Sequence, residues 1–451
     1  MAEPDFTIER MNLLDRNYPL KREQLAEGVW FGSIADSRFK TNLVTVNLVV
    51  PLNRETVTEN ALIPIVLEKC WEEAPTNREF AKQLNRLYGA SVGSGVMKLG
   101  NSQVLTLSFA AIDSRFALNG EDLLKEAARI LLGMLFRPVK KDGLLEEENL
   151  SLQAQYLIDT IQADINEKRS YAINQTVKRM FEGEPSGLPR MGFAEDAKKI
   201  TPASATAAYE RLLKEARVEV LHVGMGDPST AKELFRQAFA ARGRTPAPTS
   251  PLALGEAPQT PREYAEEKPV NQAKLCMGFR TGVDYQSPML SAMRLMNAVL
   301  GGCTTSKLFV NVREKRSLCY YCASRMDRIR GILLIDSGVD RDKAEETKAA
   351  VLEELDAVRR GDFTDEELEF ARLSLLNSYR SVGDSTYSLD SFYLTQTLLG
   401  VEETPEEQGE KLMAVTKEQV MEAANMVKLD TVYLLSGPES QTEGEIPCEN
   451  Q

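Results

Sequence analysis

Two alternations of apolar and polar residues organise this chain, one with a period of two and one with a helical period. Near the start "NLVTVNLVVPL" alternates like a strand, and the helical stretches "TENALIPIVLEKCWEE" and "NREFAKQLNRLYG" follow. Two further strands are predicted at "ASVGSGVMKLG" and "SQVLTLSFAAID", then a helix at "GEDLLKEAARILLGML". A long helical region from about Leu145 to Phe181, a short helix after Thr201 and the strand "VEVLHVG" complete this half. The second half repeats the order. Strand "AKLCMGFRTGV" leads to helices "SPMLSAMRLMNAVLGG" and "SKLFVNVREKR", then to strands "LCYYCASRMD" and "GILLIDSGVD". A helix, a long helical region opened by the capping box Thr364-x-x-Glu367, a short helix opened by Thr416-x-x-Gln419 and the strand "DTVYLLSGP" close it.

The repeat is plainest at the ends of the halves. "ITPASATAAYERLLKEARVEVLHVGMGDP" matches "VTKEQVMEAANMVKLDTVYLLSGP" in kind, about 215 residues later. That period is too long for a solenoid and predicts a duplicated α+β domain. Each copy is expected to be a mostly antiparallel sheet with helices packed on one face, the two facing one another like a clam shell. Between them, residues 242–270 hold prolines without hydrophobic periodicity and read as a linker. The expected division is therefore 1–241, a linker at 242–270, and 271–451.

At 451 residues the chain exceeds one average core, and its 43% hydrophobic and 27% charged residues are those of a soluble globular protein. No run is long enough for a membrane span, and "MAEPDFTIERMNLL" lacks a signal-peptide pattern, so a cytoplasmic location is expected. The net charge of −13 argues against nucleic acid as a partner. Six cysteines make no disulfide framework, and Cys319-x-x-Cys322 is the only close pair. On a regular strand those two side chains would point to opposite faces, which favours buried thiols over a redox or zinc role. The single histidine, His222, lies on a predicted strand and reads as structural, which leaves no histidine-based metal site or Ser-His-Asp triad.

The stretch "LGGCTTSKLFVNVREKRSLCYY", from Leu300 to Tyr321, carries a more specific signal. Together with the duplicated α+β order it resembles the helix-to-strand motif in the second domain of the pitrilysin/insulinase family of inverted-motif zinc peptidases. The closest likeness is to the short-chain, processing-peptidase-like branch. The family's His-x-x-Glu-His motif falls on Ile65, Val66, Leu67, Glu68 and Lys69, within an apolar helix expected to carry Glu68 in its middle. Glu68 matches the general base. Isoleucine has no lone pair and lysine carries a positive charge, so both histidine ligands are lost. The third ligand position counts to Asp159-Thr160, with Thr160 the better match. The resemblance thus implies that this chain holds no metal or cofactor, and Lys69 reads as a surface or interface charge.

The same resemblance assigns Arg313 and Tyr320, seven apart in "REKRSLCY", to the pair that reaches the zinc site in active members. Arg313 is expected to end a helix and Tyr320 to begin a strand, with Tyr321 adjacent and "LGG" read as a helix end. A guanidinium can hold a carbonyl or carboxylate by two parallel bonds, and a phenol can donate to the oxyanion formed as water attacks an amide. Read from the residues alone, "REKR" is more often a solvated basic helix end, which also suits the helix dipole. The resemblance implies a zinc-less subunit of a heterodimeric metallopeptidase, inactive alone. Its partner would be a homologous subunit bearing zinc, and unfolded peptides would be bound by strand addition. The alternatives are an inert pseudopeptidase scaffold or peptide-binding protein, since the chain also resembles a lineage associated with elongation factor P modification, and a structural core subunit of a larger assembly.

Overall fold

The computed structural model describes residues 20–248 and 254–438. The amino-terminal stretch, Cys448 and part of the proline-rich segment lie outside the described residues. Two compact units result, and they do not follow the linear halves. The first takes the described residues of Met1–Gln162, Gly183–Leu252 and Leu375–Ala414; the second takes those of Ala163–Glu182, Ala253–Ser374 and Val415–Gln451.

The first unit is built on strands β1 (Lys21–Ala26), β2 (Val29–Ala35), β3 (Thr41–Pro51), β4 (Ser91–Leu99) and β5 (Ser102–Ile112). A two-stranded ribbon, β6 (Lys140–Lys141) and β7 (Leu144–Leu145), stands apart, and β8 (Arg217–Gly224) completes the sheet in the order β1-β2-β8-β3-β5-β4. The second unit has β9 (Arg262–Glu267), β10 (Ala273–Arg280), β11 (Cys319–Asp327), β12 (Ile332–Val339) and β13 (Lys428–Ser436), in the order β11-β12-β10-β13-β9. Read from the other edge, this order repeats that of β2-β8-β3-β5-β4. The pairings repeat as well, because β2 with β8 and β9 with β13 are the parallel pairs in otherwise antiparallel sheets. The fold is α+β and duplicated. Strand β9 lies inside the stretch expected as linker: its "REYAEE" alternates half-buried and exposed positions and contains no proline.

Alternation along β3 explains why it is buried almost throughout. Val44, Val46, Leu48 and Val50 meet Leu62, Ile63, Leu131 and Leu212 of the helices Val57–Leu67, Leu123–Phe136 and Pro202–Glu215. Val49, of opposite parity, packs with Val104, Leu221 and Leu394 of the Thr386–Leu399 helix. Each sheet thus receives, on its second face, a helix from the opposite half of the chain. In the second unit that helix is Lys168–Met180, whose Ala172, Val177 and Met180 pack with Cys276, Leu334 and Tyr433. It closes tightly on β10 because Gly278 has no Cβ to strike the Met180 side chain.

A polar clamp fastens each of these helices. The third residue of the closing strand is a fully buried carboxylate, Glu219 in β8 and Asp430 in β13. Arg22 and Arg217 bind Glu219, both at 2.7 Å, and Arg217 also donates to the Thr397 carbonyl in the last turn of Thr386–Leu399. Arg262 and Arg280 bind Asp430, and Arg280 donates to the Met180 carbonyl at 2.5 Å in the last turn of Lys168–Met180. Among the described residues no helix is long and apolar enough to cross a membrane.

Candidate functional site

Two clusters concern function, one in each unit. In the first, the Val57–Leu67 helix stops one residue before Glu68, which caps it and sends its N–H to the Pro64 carbonyl at 3.1 Å. Glu68 therefore sits at the helix end and not in its middle. The chain turns there and closes through the pairing of Trp71 with Ala74. Ile65 is buried in the core at 5% exposure. Lys69 Nζ lies 3.3 Å from Glu68 Oε1, and Ser94 Oγ of edge strand β4 donates to Glu68 Oε2 at 2.5 Å.

The Glu147–Gln162 helix brings other residues to this turn than those expected. Asn149 Nδ2 donates to the Val66 carbonyl at 3.4 Å and contacts Cys70 Sγ at 3.8 Å, and Gln153 Nε2 donates to Asn149 Oδ1 at 3.2 Å. Thr160 lies eleven residues beyond Asn149, about 16 Å along the helix axis, and its hydroxyl donates to the Tyr156 carbonyl of its own helix. Asp159 accepts from Gln155 at 2.7 Å. Asn149 thus reaches the motif turn, with Gln153 bonded behind it, and the Glu146 carboxylate at the start of this helix acts on Cys70. A signal for this existed in the sequence, since Gln153 interrupts the apolar stripe Leu150-x-x-Gln153-x-x-x-Leu157 and is itself buried.

These residues do not fit a zinc ion. An apolar side chain, Ile65, and an ammonium, Lys69, stand where imidazoles would be needed. Among the described residues no three His, Cys, Asp or Glu side chains come together as a metal cluster. His222 is 1% exposed, with Nε2 3.1 Å from Asn42 Oδ1 and Nδ1 3.5 Å from Ser33 Oγ. Burial lowers its pKa to about 4, so it is a neutral structural ring at physiological pH.

The second cluster lies where the Leu308–Lys315 helix hands over to β11. The helix is wound wide at its end: Arg316 N–H reaches five residues back to the Asn311 carbonyl at 3.2 Å. Such windings are rare and recur at functional sites. Ser317, at φ +50°, then reverses the chain. Preceding this helix, the Ala298–Gly302 segment ends at "LGG", and a Cβ on Gly301 would come within 2.9 Å of the Ser324 backbone nitrogen of β11.

A bulge between Cys319 and Tyr321 leaves Tyr320 as the extra residue, 60% exposed. Arg313 Nε donates to the Tyr320 carbonyl at 2.9 Å, its Nη1 lies 2.5 Å from Glu314 Oε1, and its guanidinium stacks 4.7 Å from the Phe309 ring. The Tyr320 hydroxyl donates to Asp340 Oδ1 at 3.2 Å. That bond, and then the carboxylate's charge, raise the phenol's pKa, so it stays a proton donor. Tyr321 points the other way. Its ring lies under the Arg169 guanidinium at 4.4 Å and against Gly338, and burial raises its pKa. The Arg313 and Tyr320 residues are thus together on one exposed surface of this unit.

The bulge overturns the sequence expectation for the cysteine pair. Cys319 stands opposite Val339 and Cys322 opposite Ser337, two residues apart on the partner strand, so both thiols share a face.

Comparison with known proteins gives these clusters a context. Residues 199–375 match the family model described as the peptidase M16 inactive domain. Over that stretch the chain is similar to the M16 peptidases, and its described residues hold no metal cluster. It is 28% identical over 406 residues to the "Probable inactive metalloprotease YmfF" of Bacillus subtilis (strain 168), covering 90% of this chain and 95% of that one. The "Uncharacterized zinc protease YmxG" of the same organism is 31% identical over 163 residues, 35% of this chain and 39% of its own length. The crystal structure of a conserved protein from Enterococcus faecalis V583 superposes with a TM-score of 0.86 at 26% identity, covering 94% of this chain and all of that one. Beside these similar proteins, the described residues of this chain hold no metal cluster, and its half-buried Arg313 lies next to the exposed Tyr320.

Proposed function

We propose that this chain is the zinc-less subunit of a heterodimeric metallopeptidase. It binds peptide substrate and supplies Arg313 and Tyr320 to an active site whose ligand histidines belong to a homologous partner. The observation that carries this reading is an exposed phenol, kept as a proton donor beside a half-buried guanidinium, on a chain whose described residues form no metal cluster. Tyr320 would donate to the oxyanion that forms as water attacks the scissile amide, and Arg313 would hold a neighbouring substrate carbonyl. Peptide is bound along β4, which among the described residues pairs only with β5 and so offers its other edge beside Glu68. The presence of both an inactive-type and a zinc-type relative in Bacillus subtilis supports a divided arrangement.

The competing reading is an inert peptide-binding scaffold. It is favoured by the Arg313 guanidinium, which already bridges the Tyr320 carbonyl and Glu314 and so has a structural use. Mixing separates the two. The purified chain, a zinc-bearing homologue from the same genome and their equimolar mixture are each given a fluorogenic unfolded peptide. The divided-site reading expects cleavage by the mixture alone or far above the homologue alone. Equal cleavage by homologue and mixture, despite formation of a stable complex, favours the scaffold.

A further inference from the structure

We infer that Cys319 and Cys322 form a reversible dithiol–disulfide pair, a modification site built by the β11 bulge and independent of the peptidase reading. Three observations converge on it. The first is register: the extra residue at Tyr320 turns an i, i+3 spacing, which would separate two side chains on a regular strand, into two same-face neighbours. Their partners Val339 and Ser337 are two residues apart, a strand spacing of about 6.6 Å, and a disulfide spans Cα separations of roughly 4.4–6.8 Å.

The second is mutual influence, because each thiol shifts the acidity of the other, in opposite directions. The third is asymmetry. Cys319 lies nearer the surface, 9% exposed against 4% for Cys322. Its acidity is increased first by Cys322 and further by the Arg313 charge, whereas Cys322 is pushed well above the ordinary thiol value. One thiol is thus suited to attack and the other to resolve. The remaining described cysteines do not share this arrangement: Cys276 is completely buried with its pKa raised to about 12, Cys70 is raised by burial, and Cys303 contacts only Ala298 and Thr305.

The oxidant is a small-molecule disulfide, RSSR. Cys319 thiolate attacks one sulfur, forming a mixed disulfide and releasing RS⁻, which takes up a proton. Cys322 then loses its proton and attacks Cys319 Sγ, expelling the second RS⁻. The net change is protein dithiol plus RSSR to protein disulfide plus two RSH, two electrons passing to the small disulfide. The closed ring contains Tyr320 and Tyr321, so oxidation pins the bulge that turns Tyr320 outward and sets the carbonyl to which Arg313 donates.

The test uses the full chain, reduced and then equilibrated with excess oxidised glutathione. Remaining thiols are counted by alkylation, and the bonds are located by peptide mapping without reduction. The expected result is joint loss of the Cys319 and Cys322 thiols as one intramolecular bond, two hydrogens lighter and reversed by dithiothreitol. Cys303 is expected to carry only a mixed disulfide. In Cys322→Ser a glutathione adduct should accumulate on Cys319, and in Cys319→Ser the remaining Cys322 should stay free. The wild-type chain alone suffices if a variant does not fold. Free thiols at both positions after Cys303 has reacted, or a mixed disulfide persisting on Cys319 beside a free Cys322, would overturn the inference.

Discussion

The two units share a strand order and a buried clamp, yet differ in what they expose at their chemistry-bearing turns. Both carry a fully buried carboxylate at the third residue of the closing strand, two arginines upon it, and an arginine bond to the last turn of a helix lent by the other half. In the first unit the motif helix and the turn after it carry Ile65 and Lys69, neither of which is a metal ligand. In the second, Arg313 near the end of the wide helix reaches Tyr320 at the start of β11. The clamp recurs because the lent helix ends in carbonyls that must find donors under a covered sheet face. Chemistry at the turns is under no such constraint.

The clamps also differ at the helices' other contacts. In the second unit Asp336, 2% exposed, binds Arg169 of the lent helix at 2.5 Å and Arg325 at 3.0 Å. The first unit's lent helix instead presents Asp390, which accepts from the Thr45 hydroxyl at 2.7 Å, with burial raising its pKa to about 7. One sheet grips its helix through charge, the other through a carboxyl that keeps its proton until the pH nears 7.

The largest effect should come from breaking the shared clamp. Asp430→Ala strands the buried Arg280 guanidinium, and a loss of about 3–5 kcal/mol is expected in urea denaturation of the full chain. Glu219→Ala should act similarly in the first unit. A cost below about 1 kcal/mol for both, the range of exposed pairs, would show that the clamps do not hold the lent helices.

The next tests the difference between the grips. Asp390 has a folded pKa near 7 against about 3.9 unfolded, so the folded state binds the extra proton between those values. Its contribution to stability is therefore greatest below pH 4, falls as pH rises toward 7 and is flat above. Hydrogen exchange in the Thr386–Leu399 helix should quicken from pH 5 to pH 8 beyond the intrinsic rate, and Asp390→Asn should abolish that excess. His222 has the opposite sign: its depressed pKa contributes stability above pH 6.5 that is lost as pH falls toward 4. An unchanged pH dependence in Asp390→Asn would contradict the neutral grip.

The smallest effect is expected at Lys69. Its pair with Glu68 is half exposed, so Lys69→Ala should change stability by no more than about 0.5 kcal/mol. A change several times larger would mean that the turn depends on this charge.

How much of this was legible follows the range of the forces involved. Alternation over β3, β5 and β12, and the capping boxes at Thr364 and Thr416, are local signals, and they gave strands and helix starts where the chain has them. The edge strands β1 and β9 went unread because "KREQLA" and "REYAEE" carry the charges of an exposed edge. Nothing local in residues 168–180 says that they pack on a strand beginning at Ala273. The Arg313–Tyr320 neighbourhood was legible because a helix, a turn and a strand lie consecutively. The bulge between its cysteines was not, since one extra residue changes no composition. The third motif position failed for a related reason: counting along a helix gave Thr160, and only packing brings Asn149 to the motif turn, with Gln153 bonded behind it.

The measurement closest to the central claim is steady-state peptide hydrolysis by the complex of this chain with a zinc-bearing homologue, comparing wild type with Tyr320→Phe and Arg313→Ala. Subunit association and folding, followed by sedimentation and circular dichroism, should stay unchanged, because Tyr320 is exposed and the Phe change removes only a hydroxyl. Tyr320→Phe should lower kcat and kcat/KM together by about a hundredfold or more, the size of one lost oxyanion donor. Arg313→Ala should additionally raise KM, since a carbonyl clamp also acts in the ground state. Full activity of the complex with both side chains removed would contradict the account and leave this chain a scaffold.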